Sequence, residues 1–436
     1  MSTNLDNEQK LVFEKYLNKE NVFLTGPGGT GKTFLIKTIA NHAKEAGAAF
    51  QVCALTGCAA VVLECSAKTI HAWAGIGLAQ GKSEDIINRV IKSKHRRANW
   101  NKVQLLIIDE VSMLSAKLLY ILDKIARIIK RNPQPFGGIQ VIFSGDFYQL
   151  PPISHEDDEE SAAFCFESPI WEQIFKNNHI TLKTIYRQDD KDFIKALNKL
   201  RIGKLTPKTC ELFRECMNHK DETEIRPTMI LPRRKDVEKI NSFELDKLDS
   251  QSKVYNLKPY EMQNLSKTDQ EKYHSVSKED YEFEFKNLKD NILAEETLEL
   301  KVGAQVLCIA NIEMEGPYPI VNGSQGIITE FIGGFPRIKF NNGEVKVIGN
   351  HVWESEKVRG VALSQIPLIH AWAITIHKAQ GMSLDKATID VGSGIFECGQ
   401  TYVALSRVRN KEGLFLLNFA PDKIKVNKKV KKFYND

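Results

Sequence analysis

The chain has 436 residues, which suggests about three domains. Its hydrophobic share of 42% is enough for buried cores, and a net charge of +5 permits a polyanionic partner without identifying one. No stretch approaches the roughly 18 consecutive apolar residues of a membrane span, so we expect no membrane association. The polar first ten residues are typical of neither a signal peptide nor an Arg-rich transit peptide. Eight scattered cysteines without a Cys-x-x-Cys pair predict reduced thiols, an intracellular location and no structural metal.

A phosphate-binding loop follows the first predicted strand. Residues 21–25 form an apolar run that predicts a buried parallel strand, and residues 34–46 have helical spacing. Between them the pattern Gly, four residues, Gly, Lys, Thr is met by Gly26, Pro27, Gly28, Gly29, Thr30, Gly31, Lys32 and Thr33. The glycines let N–H groups converge on a phosphate, Lys32 adds a positive charge, and the Thr33 hydroxyl suits Mg²⁺. The segment predicts an anion site, the alternative being a glycine-rich turn that binds nothing.

Two acids and a glutamine follow later apolar runs. Residues 105–108 predict a buried strand that ends at Asp109 and Glu110. Because ligands of parallel sheets sit where the strands end, Asp109 is predicted to hold Mg²⁺ through water and Glu110 to polarise the attacking water. Residues 138–144 predict the next strand, and Gln149 just beyond it is placed to contact a terminal phosphate.

Several other segments leave two interpretations open. Gln9 is either a surface glutamine or a reader of adenine through paired hydrogen bonds. After the strand predicted at residues 50–55, Thr56-Gly57 and Thr69-Ile70-His71 suit a sugar-phosphate backbone, with ordinary loops as the alternative. Residues 71–100 predict either a solvated basic helix or an inserted arm near nucleic acid. The acidic residues 155–160 predict a surface loop.

The second half of the chain contains an antiparallel module inside an α/β pattern. Short strands are predicted at residues 304–310, 326–332, 336–340 and 344–348, joined by turns at Gly333-Gly334 and Asn342-Gly343. An apolar run at residues 368–374 and strands at residues 387–391 and 414–419 then restore the α/β rhythm without a second phosphate loop. We infer that this half supplies Arg187 and Arg407 to the nucleotide as arginine fingers. The lysines of residues 423–432 predict a solvated tail.

These ordered motifs resemble those of the petite-integration-frequency (Pif-type) DNA helicases of superfamily one. The resemblance runs from Gln9 to Phe419, nearly the whole chain. Residues 111–152, with the stretch Gly145 to Pro152, resemble a signature peculiar to that family. Further matches lie at residues 300–306, 322–326, 365–368, 377–381 and 400–407.

The resemblance implies an α/β fold with two tandem RecA-like P-loop domains and ATP in the cleft between them. It also implies a small antiparallel β-barrel of the Src-homology type and a short inserted arm. The implied boundaries are 1–180 for the first motor domain with its arm at 71–100, 181–250 and 362–436 for the second, and 251–361 for the barrel.

The resemblance also implies hydrolysis of ATP with Mg²⁺, five-prime to three-prime travel on single-stranded DNA, and unwinding of tailed or forked duplexes. Gln9 resembles the adenine reader, Gln149 the terminal-phosphate sensor, and Arg187 and Arg407 the two fingers. The residues in motifs that face DNA are Thr56, Gly57, His71, Thr375, His377 and Lys378. A single-strand binding protein switched by nucleotide, a motor subunit inactive alone, and a small-molecule kinase remain as alternatives.

Overall fold

The structure is a computed structural model that describes residues 5–63, 65–77, 79–153, 159–176, 178–219, 225–261, 273, 277–313, 320–355 and 360–435. Residues 155–158 of the predicted acidic loop lie outside this described part. Among the described residues, no helix combines the length and the apolar composition needed to cross a bilayer.

Helices of the described chain alternate with strands through most of its length. In chain order they are α1 (Asn7–Leu17), α2 (Lys32–Glu45), α3 (Gly57–Leu63), α4 (Ile70–Ala74), α5 (Ser83–Lys92), α6 (Lys94–Lys102), α7 (Ala116–Lys130), α8 (Pro169–Phe175), α9 (Lys191–Arg201), α10 (Pro207–Glu215), α11 (Arg234–Asp246), α12 (Lys278–Asn291), α13 (Ile376–Ala379), α14 (Gln400–Leu405) and α15 (Lys428–Asn435). Short 3-10 helices cover Val111–Met113, Pro135–Gly138, Glu159–Ser161, Cys165–Glu167, Cys216–Asn218 and Pro421–Lys423.

The strands form parallel sheets and separate antiparallel ones. In chain order they are β1 (Val22–Thr25), β2 (Phe50–Ala54), β3 (Lys68–Thr69), β4 (Leu105–Asp109), β5 (Gln140–Gly145), β6 (His179–Thr181), β7 (Thr228–Leu231), β8 (Lys253–Asn256), β9 (Lys258–Pro259), β10 (Thr297–Leu300), β11 (Gln305–Cys308), β12 (Gln325–Ile332), β13 (Phe335–Phe340), β14 (Val345–Val347), β15 (His351–Glu354), β16 (Ala362–Gln365), β17 (Leu368–His370), β18 (Ala373–Thr375), β19 (Ala387–Val391) and β20 (Leu414–Phe419).

The chain divides into two compact units. The first contains Met1–Thr209, Glu397–Ser406 and Ile424–Asp436, and the second contains Cys210–Phe396 and Arg407–Lys423. The domain boundaries expected from the sequence remain a prediction.

The first unit is built on a parallel sheet of six strands in the order β3-β2-β4-β5-β1-β6. Strands β1 and β4 are buried throughout, and β5 is buried after its first residue, as their continuous apolar sequences predict. Phe23 belongs to the core on one face, whereas Val22 and Leu24 belong to the core on the other. Because both faces of the sheet pack against apolar cores, polar side chains that could bind a ligand are expected in the loops that follow the strands.

The second unit contains a parallel sheet in the order β18-β7-β19-β20 and an antiparallel sheet in the order β14-β13-β12-β11-β17. Smaller antiparallel sheets pair β10 with β8 and join β15, β16 and β9. The predicted antiparallel module and the return to α/β structure are therefore confirmed.

The apolar run at residues 368–374 does not form one continuous strand. The run forms two strands, β17 in the antiparallel sheet beside β11 and β18 in the parallel sheet beside β7. Most of the run is buried, so its composition does not reveal where the chain leaves one sheet for the other.

The segment after His71 is helical and packed, which contradicts the prediction of a solvated basic helix. Trp73 and Trp100 lie in contact with ring centres 4.6 Å apart, and both are buried. Val90 of α5 joins the same core, and even the basic Arg96 is buried. The apolar residues between the charges anchor the insertion to the first unit.

The C-terminal lysines do not form a wholly solvated tail either. In helix α15 the side chain of Val430 is buried, and Phe433 and Tyr434 pack against the core of the first unit. The lysines at positions 428, 429 and 432 remain exposed on the other side. The charge of this segment predicts a solvated tail, whereas the amphipathic spacing of its apolar residues is what predicts a packed helix.

Candidate nucleotide site and nucleic-acid-facing residues

The phosphate loop connects β1 to helix α2 and has a glycine-dependent conformation. Gly26, Gly29 and Gly31 have φ values of 148°, 83° and 81°, a range that favours glycine. A Cβ added at Gly26 would lie 2.7 Å from the carbonyl oxygen of Leu182, and one at Gly29 would lie 2.6 Å from the Cβ of Arg187. Larger residues at Gly26 and Gly29 would therefore change the loop.

Lys32 begins helix α2 and folds back over the loop. Its ammonium donates hydrogen bonds to the carbonyl oxygens of Gly26, at 2.7 Å, and Pro27, at 3.0 Å. Burial lowers the pKa of Lys32, while the nearby carboxylates of Asp146, Glu110 and Asp109 oppose that shift. The positive charge is thus held close to the acids predicted to act with it, and Thr33 follows in the first helical turn.

Asp109 and Glu110 stand at the end of β4, as predicted. Asp109 is buried, and burial raises the pKa of its carboxyl while the Ser144 hydroxyl and the Lys32 ammonium act against the rise. Glu110 has a left-handed backbone, with φ 56° and ψ 38°. Such a conformation is costly for a residue with a Cβ and tends to occur at functional sites.

Gln149 lies beyond β5 and is buried together with the oxygen of its side-chain amide. Its main-chain N–H donates to the carbonyl of Asp146 at 2.8 Å, and its side chain is 5% exposed. Within the described residues, its Oε1 meets no hydrogen-bond donor. Buried polar atoms usually have a partner, so this oxygen is available for a ligand or water.

Gln9 is buried, which rules out the alternative of a surface glutamine. Its Oε1 accepts from the N–H of Asp6 at 3.2 Å, and its own N–H donates to the Asp6 carboxylate at 2.8 Å. A Cβ added at Gly31 would lie 2.8 Å from Gln9 Nε2. The side chain therefore lies beside the loop, and its role in reading adenine stays a prediction.

Arg187 lies against the same loop. One of its guanidinium nitrogens would be 3.6 Å from a Cβ at Gly28, and it donates to the carbonyl oxygen of Ser406 at 3.2 Å. The sequence predicts that Arg187 belongs to the second α/β half, whereas the structure groups it with the first unit. Arg407 belongs to the second unit, where it is buried and donates to the carbonyl oxygen of Met382 at 3.4 Å.

The sequence interpretation gave no role to Tyr402, although it lies in the matched segment 400–407. Its hydroxyl accepts a hydrogen bond from the main-chain N–H of Gly28 at 2.8 Å. At the start of the same helix, a Cβ on Gly399 would lie 2.3 Å from the carbonyl oxygen of Gln149. Helix α14 therefore contacts both the phosphate loop and the Gln149 segment within the first unit.

The residues expected to face DNA in the first unit lie at the beginnings of two short helices, α3 and α4. The Thr56 hydroxyl accepts from the N–H of Ala59 at 3.2 Å, next to Gly57 at the start of α3. His71 lies in α4, and burial lowers its pKa to about 4. It helps to line a cavity of about 250 Å³ with Met113 and Ile153.

The corresponding residues of the second unit surround α13. The Thr375 hydroxyl accepts from the N–H of Lys378 at 3.1 Å and thereby caps the helix. His377 and Lys378 are half-buried in that single turn. Contacts of all six residues with DNA stay predictions.

Family models match three parts of the chain. Residues 4–211 match the PIF1-like helicase model, residues 284–331 match the model of the DNA helicase Pif1 2B domain, and residues 361–433 match a helicase model. Together these matches include the phosphate loop, part of the antiparallel module and the segment 400–407.

Curated relatives extend the similarity over nearly the whole chain. The ATP-dependent DNA helicase PIF1 of Danio rerio is 36% identical over 99% of this chain and 63% of its own length. The ATP-dependent DNA helicase RRM3 of Saccharomyces cerevisiae is 30% identical over 98% of this chain and 67% of its own. The chain spans 63%, 62% and 64% of the lengths of the PIF1 proteins of Danio rerio, Emericella nidulans and Xenopus laevis.

Solved structures agree in fold. The crystal structure of Pif1 helicase from Candida albicans has a TM-score of 0.78 at 33% identity, covering 99% of both chains. Bacteroides Pif1 in complex with ADP-AlF3 and single-stranded DNA has a TM-score of 0.68 at 27% identity, covering 100% of this chain and 97% of that one. The predicted α/β fold with parallel sheets and a small antiparallel module is therefore confirmed, and this chain belongs to the PIF1-like helicase family.

Proposed function

We propose that the chain is an ATP-dependent DNA helicase that moves five-prime to three-prime on single-stranded DNA and unwinds tailed or forked duplexes. The observation that carries the proposal is the grouping of Lys32, Asp109 and Glu110 around the glycine loop. Lys32 lies close to both acids, and the loop would have to change its conformation to accommodate a Cβ at Gly26 or Gly29. Such a loop at a helix N-terminus offers N–H groups to phosphate, and the acids supply what hydrolysis needs.

Nucleotide and Mg²⁺ both fit the residues present. Thr33 and Asp109 offer hydroxyl and carboxylate oxygens, the ligands that Mg²⁺ prefers. The Oε1 of Gln149, which meets no hydrogen-bond donor among the described residues, supports a bound group near the sheet edge. When bound, Mg²⁺–ATP supplies the phosphoryl group that is transferred to water.

Each residue then has a defined task. Lys32 exchanges the carbonyls of Gly26 and Pro27 for phosphate oxygens, because an ammonium gains more from an anion. Glu110 orients the attacking water and takes up its proton. Arg187 and Arg407 stabilise the charge that develops on the terminal phosphate.

The relative bound to ADP-AlF3 and single-stranded DNA supports nucleotide and strand binding by this chain. Thr56, Gly57, His71, Thr375, His377 and Lys378 are our candidates for strand contacts. In this proposal, nucleotide binding and hydrolysis alternate the grip on the strand and so produce steps.

The experiment is an unwinding assay with the purified chain on duplexes tailed at either end, made in DNA and in RNA. We expect ATP-dependent unwinding of the DNA duplex with a five-prime tail, and none with Lys32→Ala. Stimulated hydrolysis without unwinding would instead indicate a motor subunit that needs partners. Strand affinity that changes with ATP in the absence of hydrolysis would indicate a nucleotide-switched binding protein, and no response to DNA would overturn the proposal.

A further inference from the structure

We propose that Tyr434, in the C-terminal helix α15, is a positioning residue for the nucleotide site. Its hydroxyl joins the strand that leads into the phosphate loop to the segment that carries Gln149. This inference rests on the proposed function, because it assigns a role at the same site. It assigns a role to the lysine-rich C-terminal helix that neither the charge of this helix nor the spacing of the sequence motifs predicts.

The Tyr434 hydroxyl has two partners from neighbouring strands. Its oxygen lies 2.7 Å from the Thr25 hydroxyl oxygen and accepts the main-chain N–H of Phe147 at 3.2 Å. Thr25 is the last residue before Gly26, and Phe147 is two residues before Gln149. Because β1 and β5 are adjacent, with Thr25 opposite Gly145, one oxygen atom spans the ends of both strands.

The phenol ring holds the same segment from a second direction. It stacks on Tyr148 with ring centres 4.9 Å apart and planes inclined by 12°. The guanidinium of Arg201 lies 4.5 Å from the centre of the Tyr148 ring and donates to both carboxylate oxygens of the buried Asp146, at 2.8 and 2.7 Å. Residues 146–148 are therefore fixed by α15 and by the end of α9 together.

The hydroxyl is a defined hydrogen-bonding group in this setting. Burial raises the pKa of Tyr434, and the Asp146 carboxylate adds to the rise. The phenol therefore stays protonated at neutral pH, so it accepts from Phe147 and shares a second hydrogen bond with the Thr25 hydroxyl, in which either oxygen can donate.

Helix α15 remains in place without that hydroxyl. Phe433 packs on Phe147 with ring centres 5.2 Å apart and on Phe166 at 4.4 Å, and Val430 is buried. Lys429 also pairs with Glu167. Tyr434→Phe should therefore keep the helix and the ring stack and remove only the connection between the strand ends.

The experiment compares Tyr434→Phe with the wild-type chain, and Tyr16→Phe serves as the matched control. Tyr16→Phe also removes the hydrogen bond of a phenol, since the Tyr16 hydroxyl lies 3.0 Å from His42 Nδ1, but this bond joins helices α1 and α2. For Tyr434→Phe we expect amide exchange at residues 145–149 to rise about 2- to 10-fold, as for the loss of one hydrogen bond. The kcat of DNA-stimulated ATP hydrolysis should fall while KM for ATP stays within about twofold.

A second variant tests the same connection from its other end. Thr25→Val keeps the side-chain shape and removes the hydroxyl, so it breaks the connection at Thr25 while the Phe147 N–H keeps its acceptor. We therefore expect a lower kcat and a smaller rise in exchange at residues 145–149 than in Tyr434→Phe. The double variant should then lose less than the sum of the two single effects, because both single variants remove the same hydrogen bond between Thr25 and Tyr434.

Exchange and kcat indistinguishable from those of Tyr16→Phe would overturn the inference. A fall in Tm alone, with residues 145–149 unchanged, would also overturn it, since that outcome describes a merely structural tyrosine. If the wild-type chain fails to hydrolyse ATP, the proposed function fails, and the exchange measurement still decides whether Tyr434 orders the segment.

Discussion

The hydroxyl of Tyr402 accepts a hydrogen bond from the main-chain N–H of Gly28 across a sequence separation of 374 residues. Gly28 lies within the phosphate loop, where free N–H groups are the donors that bind a phosphate. In this conformation one of those donors is already used by a protein group. In the proposed nucleotide site, helix α14, which carries Tyr402, therefore competes with a phosphate for this donor.

Tyr402→Phe should bind ATP more tightly than the wild type. Without the phenol oxygen, the Gly28 N–H has lost its partner in the nucleotide-free protein, and a phosphate oxygen can satisfy it. One hydrogen bond has a net value of about 0.5–1.5 kcal/mol, which corresponds to an affinity gain of about 2- to 10-fold. Titration calorimetry with a non-hydrolysable ATP analogue measures the difference, with Tyr16→Phe as the control. Weaker binding would show that the hydroxyl itself contacts the nucleotide.

Lys32→Ala should abolish hydrolysis and unwinding while single-strand binding without nucleotide persists. The ammonium is the group that we propose moves from the carbonyls of Gly26 and Pro27 to the phosphates. Removing a positioned charge of this kind costs about 10²-fold or more in turnover. Lys44→Ala is the matched control, because Lys44 lies in the exposed last turn of the same helix. Near wild-type ATPase in a folded Lys32→Ala protein would refute the nucleotide assignment.

Local features explain why the positions of several candidate nucleotide-site residues could be predicted from the sequence. Strand β1, the glycine loop and helix α2 are continuous in the chain, and Asp109 and Glu110 directly follow a buried strand. Each signal depends on neighbouring residues and on general rules for parallel sheets. Gln149 could be predicted for the same reason.

The contacts that depend on distant residues could not be predicted. Tyr402, Arg201 and Tyr434 act through partners far along the chain, and each is by itself an ordinary aromatic or basic residue. The exchange of sheets between β17 and β18 was missed because burial continues through most of that run. The hydroxyls of Thr56 and Thr375 each cap a helix. A threonine at the end of a strand can cap a helix as readily as it can contact nucleic acid, so the sequence alone does not distinguish the two roles.

The His71 ring should make the protein less stable as the pH falls. Its pKa of about 4 in the folded chain lies below the value of about 6.5 expected when unfolded. Between these values the unfolded chain binds a proton that the folded chain does not, so stability decreases from pH 6.5 towards pH 4. His71→Asn should lose less Tm than the wild type between pH 6.5 and 4.5, measured by circular dichroism. Equal losses would mean that the ring is not held neutral by burial.

Lys378→Ala should weaken the salt dependence of single-strand binding. Each phosphate neutralised by a basic residue contributes about −0.7 to the slope of log K against log salt for a single strand. The variant should therefore have a flatter slope by about that amount, together with less stimulation of ATPase by DNA. Fluorescence anisotropy at several salt concentrations measures the slope, and Lys423→Ala, at an exposed lysine of the same unit, is the control. A slope unchanged from wild type would mark Lys378 as a solvated charge.

Arg187 and Arg407 provide the most demanding test of the proposed chemistry. Arg187 already lies against the phosphate loop, where its guanidinium donates to the carbonyl oxygen of Ser406. Arg407 is buried, and a buried guanidinium that serves only packing would affect stability more than turnover. An arginine finger instead stabilises the charge of the transition state and typically contributes about 10³ to 10⁵ in turnover.

Arg187→Ala and Arg407→Ala should each reduce turnover severely while ATP affinity falls much less, because the phosphate loop remains intact. Lysine should substitute poorly, since an ammonium lacks the planar fork of donors. The double variant should lose less than the product of the single effects if the two residues act as one unit. Single-turnover hydrolysis with saturating single-stranded DNA, run beside nucleotide binding and Tm for each variant, separates chemistry from affinity and from folding. If both single variants fold and hydrolyse ATP within a few-fold of wild type, neither arginine is a finger, and the transition-state charge must be stabilised without them.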